Sequence, residues 1–449
     1  MEDAKTVTPI SRRDLLKTGG KVAAGVAAAG ALAQIPGAPT VLASSARSAT
    51  TLNFLTGLAG PDGQTMQAIV NQFNKAHPSI QVKMQIIGTW PQFYSKLLPA
   101  LTGGTAPEVF TTHVQEMLYF QANGLFAKID DLFGPSLPES DFAAQPMKYV
   151  KYQGSIYGMP LDMHGWGFYL NPKLLQAAGL PLRTPSSGEE LAQWARKLTI
   201  DSSGNNGLSK NFNGSKVKVY GLATSWELPT LLQTIWSFGG NTLSADGKTA
   251  TFNTPMVRSA FQYWSDLIFK YHAVSKPAAY GTIGVWDSAY SKNQVAMVPD
   301  GDWMRNWFPA HKNVSVKSVF MPKFGADQVA WMSGHVIAAP ASLPSEKKDA
   351  VYTFMRFLSS RGVEWTTGAG HIPARTSQRR SLAVTSLFPQ STYAPELAEI
   401  GRIEQPSKVF FDVQDGYDPQ FTALLNGTKS VSGAISAAQS VVSRALTRA

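Results

Sequence analysis

Residues 152–181, YQGSIYGMPLDMHGWGFYLNPKLLQAAGLP, constrain this chain more than any other stretch. A turn at Gln153-Gly154-Ser155 opens it, and an extended run over 156–170 follows with Gly158, Pro160, Gly165 and Gly167 inside it. Gly and Pro disrupt regular pairing in a sheet interior, so the run makes a poor simple strand and a good path for a chain crossing between two bodies. Asn171-Pro172 then starts a short helix that ends at Gly179, because Pro suits a first helical turn. Alternation along the run places Asp162, His164 and Trp166 on one face. The stretch predicts a hinge that is also one wall of a binding site.

Two bodies need enough chain, and 449 residues are long for a single core. Residues 51–56 read as a strand and 66–77 as a helix with Ile69, Val70 and Phe73 in register, stopped at His77-Pro78. Residues 80–87 alternate as a strand, 90–101 form a helix closed by Gly103-Gly104, 109–112 form a buried strand, and 114–123 a helix ended by Gly124. This β-α-β-α-β-α order predicts an open, mostly parallel sheet with helices on its faces. Further on, 201–216 read as a polar, mobile loop, 243–252 as a hairpin turning at Asp246-Gly247, and 255–271 as an amphipathic helix. Residues 331–339, apolar with Gly334 inside, predict a second crossing.

The N-terminus carries Ser11-Arg12-Arg13-Asp14-Leu15-Leu16-Lys17, then an apolar run over 22–35, then small residues at Val41-Leu42-Ala43 and Ser44-Ser45-Ala46. Paired arginines, an apolar run too short to span a bilayer and a small-residue site, in that order, predict a twin-arginine export signal over 1–46, cleaved near Ala43 or Ala46. Up to Ala43 the leader carries five Lys/Arg and three Asp/Glu, so its loss lowers the formal charge of +10 only by two. That surplus suits an anionic ligand or a membrane surface, but without a run of five Lys/Arg a nucleic-acid partner is not expected. With no Cys, disulfides, thiolate metal sites, Cys nucleophiles and lipid attachment through an N-terminal Cys are excluded.

Several segments together resemble the extracellular solute-binding proteins of bacterial ATP-binding-cassette (ABC) sugar importers, the maltose-binding-protein-like family. They are Phe73-Asn74-Lys75-Ala76-His77-Pro78, Leu101-Thr102-Gly103-Gly104-Thr105-Ala106-Pro107-Glu108-Val109, and Ile156-Tyr157-Gly158-Met159-Pro160 with Phe168-Tyr169-Leu170-Asn171. Asn293-Gln294-Val295-Ala296-Met297, Gly301-Asp302-Trp303, Gly370-His371-Ile372-Pro373-Ala374-Arg375 and Asn426-Gly427-Thr428-Lys429-Ser430 complete the set. Glu108 departs from the family's usual Asp. The resemblance implies an α/β periplasmic-binding-protein type II fold. Its two lobes would be 47–160 with 337–385 and 161–336 with 386–449, joined by hinge crossings around a central cleft that closes on its ligand. It implies a monomeric periplasmic protein, not an enzyme, that captures a mono-, di- or oligosaccharide and delivers it to the permease subunits of an ABC importer. A polyol phosphate or an acidic sugar is the alternative ligand.

Sugars present C–H faces and a rim of hydroxyls, so their sites want flat aromatic rings and bidentate polar groups. Residues that follow strands are the candidates, because an open sheet displays its ligand there. They are Trp90 after the second strand, Thr112 and His113 after the third, Asp162 and His164 on the crossing, and Trp226 after the strand 219–224. Asp302 and Trp303 follow the strand 295–298, and Trp331, Ser333, Gly334 and His335 line the second crossing, where Gly permits close approach. Trp236 and Trp264 read as core, and Arg375 as a surface ion pair. No cofactor or metal is expected. The rival class is a twin-arginine-exported hydrolase, although the chain has no His-x-x-x-His, no Gly-x-Ser-x-Gly and no dinucleotide-type Gly pattern after a strand.

Overall fold

The computed structural model describes residues 49–275 and 284–448; the export-signal expectation lies outside them. In chain order the strands are β1 Thr50–Thr56, β2 Ile80–Ile86, β3 Val109–His113, β4 Lys151–Tyr152, β5 Ser155–Ile156, β6 Met159–Pro160, β7 Asp162–Leu170 and β8 Ile200–Asp201. There follow β9 Val217–Leu222, β10 Val295–Gly301, β11 Lys317–Val319, β12 Ala330–Ser333, β13 His335–Ala338, β14 Ile372–Pro373 and β15 Gly401–Ile403. The first sheet has the order β2-β1-β3-β13-β6; β1 runs parallel to β2 and β3, and β13 runs antiparallel to both β3 and β6. The second has the order β15-β12-β7-β10-β9-β8, with β11 and β14 also paired to β7. Each sheet carries its own helices, giving two α/β lobes of periplasmic-binding-protein type II.

The run 156–170 is not the weak strand that its glycines suggest. Asp162–Leu170 is nine residues long, buried throughout, and pairs antiparallel with β10, β11, β12 and β14. Its glycines serve packing. A Cβ on Gly165 would lie 2.6 Å from Leu397 Cδ2 and from the Trp331 carbonyl, and one on Gly167 would lie 2.5 Å from the Tyr393 ring. The helix Gln390–Ile400 therefore sits directly on the strand's backbone, an approach that any larger residue forbids.

The chain changes sheet twice within single residues. Leu161 separates β6 of the first sheet from β7 of the second, and Gly334 separates β12 of the second from β13 of the first. The two crossings touch: Leu161 N–H donates to the His335 carbonyl at 2.8 Å, and a Cβ on Gly334 would lie 2.5 Å from the Asp162 carbonyl.

Other segments differ in detail from the sequence expectation. The loop 201–216 is organised, not loose: the Asp201 carboxylate accepts from the backbone N–H of Ser203, Asn205 and Asn213. Residues 243–252 keep the turn at Gly247 (φ +72°), but the flanking pairing is one isolated bridge, Leu243 to Ala250. Trp236 and Trp264 are core, with Trp264 Nε1 donating to Thr234 at 2.8 Å, and Arg375 pairs with Asp141 at 2.7 Å.

Candidate functional site

Helix α2, Trp90–Thr102, starts on a Thr89 cap whose hydroxyl accepts from Gln92 N–H, with Pro91 in its first turn. This start puts the half-buried Trp90 ring 4.1 Å from His113 and 5.4 Å from His335, near-parallel to the latter. His113 ends β3, where Glu116 accepts its backbone N–H at 2.8 Å and fixes the turn. Tyr94, one turn into α2, donates its hydroxyl proton to Glu116 at 2.7 Å and lies 2.8 Å from His113 Nδ1. Burial first, and the Glu116 charge second, push the Tyr94 phenol well above its usual value, so it stays a donor. Thr112, fully buried, joins the same group through Tyr94 at 3.3 Å.

Asp162 is the centre. Its Oδ1 accepts from His335 N–H (2.9 Å) and pairs with His164 Nδ1 (3.1 Å), while its Oδ2 pairs with His335 Nδ1 (2.8 Å) and accepts from Trp365 Nε1 (2.7 Å). Burial opposes its ionisation, but His335 and His164 outweigh burial and hold the carboxyl well below the usual range. Burial pushes the His164 imidazole down to about 3 and the His335 imidazole down to about 4. At neutral pH both rings are therefore neutral N–H donors to the Asp162 anion.

A second polar group adjoins the first. His371 Nδ1 lies 3.3 Å from Asp302 and its Nε2 lies 3.2 Å from Asp62. Burial disfavours the charged ring, but Asp62 and Asp302 raise it well above the ordinary imidazole value. Burial lifts the Asp302 carboxyl up to about 7 against the pull of His371. The His371 ring lies 5.0 Å from His164 and 5.1 Å from His335, so the two groups are one cluster.

Aromatic rings wall this cluster. Trp303 lies 6.1 Å from His164, Trp331 lies 6.2 Å from His164, and Trp226 packs edge-on to Trp331 at 5.7 Å. Trp331 Nε1 is a buried donor and Asp302 Oδ2 a buried acceptor, and neither has a partner among the described residues. Ser333 spends its hydroxyl proton on Gln115 at 2.7 Å. The close approach that Gly334 permits is made by the Asp162 carbonyl. Open depressions of about 500 Å³ lie over helix α1, Gly60–Ala76, lined by residues such as Gln64 and Gly368 and by none of the candidate residues.

The twelve candidates thus fall in one connected region where the two sheets meet, each by direct contact or through one neighbour. Trp166 does not: it is fully buried without ring contact to the cluster. Sequence reasoning missed Tyr94, Glu116, Trp365 and Asp62, and saw in His371 only part of a motif. Glu116 had a readable signal, an acid three residues after a strand-ending His. Trp365 and Asp62 have none, since only the folded chain brings them to Asp162 and His371.

Residues 59–365 match the family model described as bacterial extracellular solute-binding protein, and the chain belongs to that family. The sn-glycerol-3-phosphate-binding periplasmic protein UgpB of Escherichia coli O1:K1 is 24% identical over 163 residues, 35% of this chain and 37% of the relative. The match thus spans little more than a third of that relative's length. Among solved structures, the ABC substrate-binding protein Lmo0181 from Listeria monocytogenes in complex with cycloalternan aligns with TM-score 0.75 at 18% identity, covering 89% of this chain and 100% of that one. UgpB from Mycobacterium tuberculosis in complex with glycerophosphocholine aligns with TM-score 0.74 at 19% identity, covering 89% and 99%.

Proposed function

We propose that this solute-binding protein captures a mono-, di- or oligosaccharide at the junction of its two lobes and delivers it to the permease subunits of an ABC importer. The supporting observation is the pairing of Trp walls with unspent polar atoms. Trp90, Trp226, Trp303 and Trp331 line the cluster, while Trp331 Nε1 and Asp302 Oδ2 are a buried donor and a buried acceptor that ligand hydroxyls would satisfy. In this reading the lobes are 47–160 with 337–385 and 161–336 with 386–449, the crossings at Leu161 and Gly334 act as the hinge, and the protein works as a periplasmic monomer exported by the twin-arginine route.

A polyol phosphate or acidic sugar is the second reading, favoured by the UgpB relatives. The charge of the cluster argues against it. Asp62, Asp162, Asp302 and Glu116 stand there, and among the described residues no Lys or Arg bonds to any of the four. A phosphate would face this surface with the His371 proton as its principal cation. Thermal-shift screening against carbohydrates and polyol phosphates tests both readings, since a ligand bound only by the native state raises the melting point. A neutral saccharide is expected to shift it, and Trp303→Ala to weaken that ligand by about 2- to 13-fold, from roughly 0.5–1.5 kcal/mol per aromatic contact. A shift with phosphates alone refutes the saccharide reading, and cleavage of an incubated oligosaccharide refutes binding without catalysis.

A further inference from the structure

Four of the seven histidines of the chain meet in this cluster. Three of them, His113, His164 and His335, each offer a ring nitrogen, and these nitrogens lie within 4.8 Å of one another. In all three rings Nδ1 is already engaged. His164 and His335 direct it at the two oxygens of Asp162, and His113 directs it at the Tyr94 hydroxyl, whose own proton goes to Glu116. Each ring therefore donates from Nδ1 and carries its lone pair on Nε2. Among the described residues no Nε2 of the three has a hydrogen-bond partner.

A knot serving only to tie the crossings together would need the Nδ1 bonds and nothing more. It would not need three histidines whose ring nitrogens come within 4.8 Å of one another. Metal-ligating histidines almost always give their other N–H to a carboxylate or similar acceptor, which fixes the ring and raises its basicity. Asp162 does this for two rings at once, and Glu116 does it for the third through Tyr94. The two carboxylates behind the three rings balance the charge of a dication.

We propose that His113, His164 and His335 bind one divalent transition-metal ion through their Nε2 atoms, with a further coordination position open to an oxygen of the captured solute. Three imidazoles suit Zn²⁺, Co²⁺, Ni²⁺ or Cu²⁺, whereas Ca²⁺ and Mg²⁺ take oxygen ligands. A tetrahedral ion with Zn–N bonds of about 2.1 Å sets its nitrogens about 3.4 Å apart, so the rings draw together on binding. His371 is not a ligand, because Asp62 and Asp302 occupy both of its nitrogens. The site goes beyond the saccharide reading and does not depend on which solute is captured.

The test uses untagged full-length protein stripped with EDTA. Co²⁺ titration should give one equivalent of bound ion with the strong visible absorption of a low-coordinate nitrogen site, a readout that a purely structural histidine cluster lacks. Zn²⁺ competition against a chromophoric chelator should show His113→Gln, His164→Gln and His335→Gln each weakening binding by at least about 100-fold, the upper end of what outer-shell changes alone cost. His311→Gln, remote from the cluster, should not change it. The Co²⁺ spectrum of the unaltered protein decides the matter even if a variant fails to fold. No Co²⁺ spectrum with no Zn²⁺ binding below about 10 µM, a free energy near −7 kcal/mol, overturns the proposal; so does full retention of binding in all three variants. A saccharide thermal shift that persists in EDTA while Zn²⁺ does not bind sinks the metal and leaves the saccharide reading standing. Zn²⁺ binding with no saccharide shift does the reverse.

Discussion

Replacing Asp162 by Asn measures how much the central carboxylate holds. The side chain is fully buried and takes four N–H groups, two on each oxygen. Asn keeps one accepting oxygen and turns the other into an NH₂ facing donors, so either orientation forfeits two partners. A buried donor left unsatisfied costs about 1–3 kcal/mol, which puts the substitution near 4 kcal/mol, in the range for breaking a buried ionic contact. If His335 changes tautomer to accept from the new amide, Trp365 Nε1 still loses its acceptor, and about 1 kcal/mol is the floor. For about 400 ordered residues the unfolding entropy is about 0.8 kcal/mol/K, so 4 kcal/mol lowers Tm by about 5 °C. The assay is thermal unfolding by circular dichroism in EDTA, with Asp131→Asn as control. Asp131 is an exposed partner of Lys348, and its loss should leave Tm unchanged. A loss below about 1 kcal/mol at Asp162, equal to the control, would falsify the view that this carboxylate ties the crossings together.

Two further outcomes follow from packing and from charge. Gly167→Ala should cost about 1–3 kcal/mol by forcing a methyl against Tyr393, and Tyr393→Leu should recover part of that loss; independent, additive effects would contradict the close packing. Burial raises the Glu396 carboxyl well above its ordinary value, and its Oε2 has no partner. The folded state thus holds a proton that the unfolded chain has released, so this group's stabilisation is complete below about pH 4.3 and fades as pH rises toward the folded value. Glu396→Gln should then raise Tm at pH 8 relative to the parent and leave the difference small at pH 4; an equal shift at both would refute the assignment.

Much of the architecture was legible because periodicity and punctuation are local. The alternation of β2, the register of α1 and the Gly-Gly closure after α2 each need only a few neighbouring residues. The crossings were legible for a reason that proved partly wrong. Gly165 and Gly167 suggest weakness in a strand, but they accommodate Leu397 and Tyr393, residues more than 220 positions away. The candidate residues gathered because they follow strands, as Trp90, Trp226, Asp302 and Trp303 do, or stand where the chain ends a strand or changes sheet, as the others do. The partners that set their chemistry were hidden. Nothing near Asp162 in the chain announces Trp365, and nothing near His371 announces Asp62, because those pairings exist only once the sheets have met.

The place of β13 in the first sheet sets a timetable for synthesis. It lies between β3 and β6, pairing His335 with His113, yet it leaves the ribosome about 220 residues after β3. At 5–20 residues per second, roughly 10–40 s pass in which β3 has no partner on that side. An unpaired strand edge is a template for the wrong neighbour, so the nascent chain needs something to mask it through that interval. Only when β13 arrives do β6 and the region around His335 gain a sheet to join, and the candidate site therefore forms late.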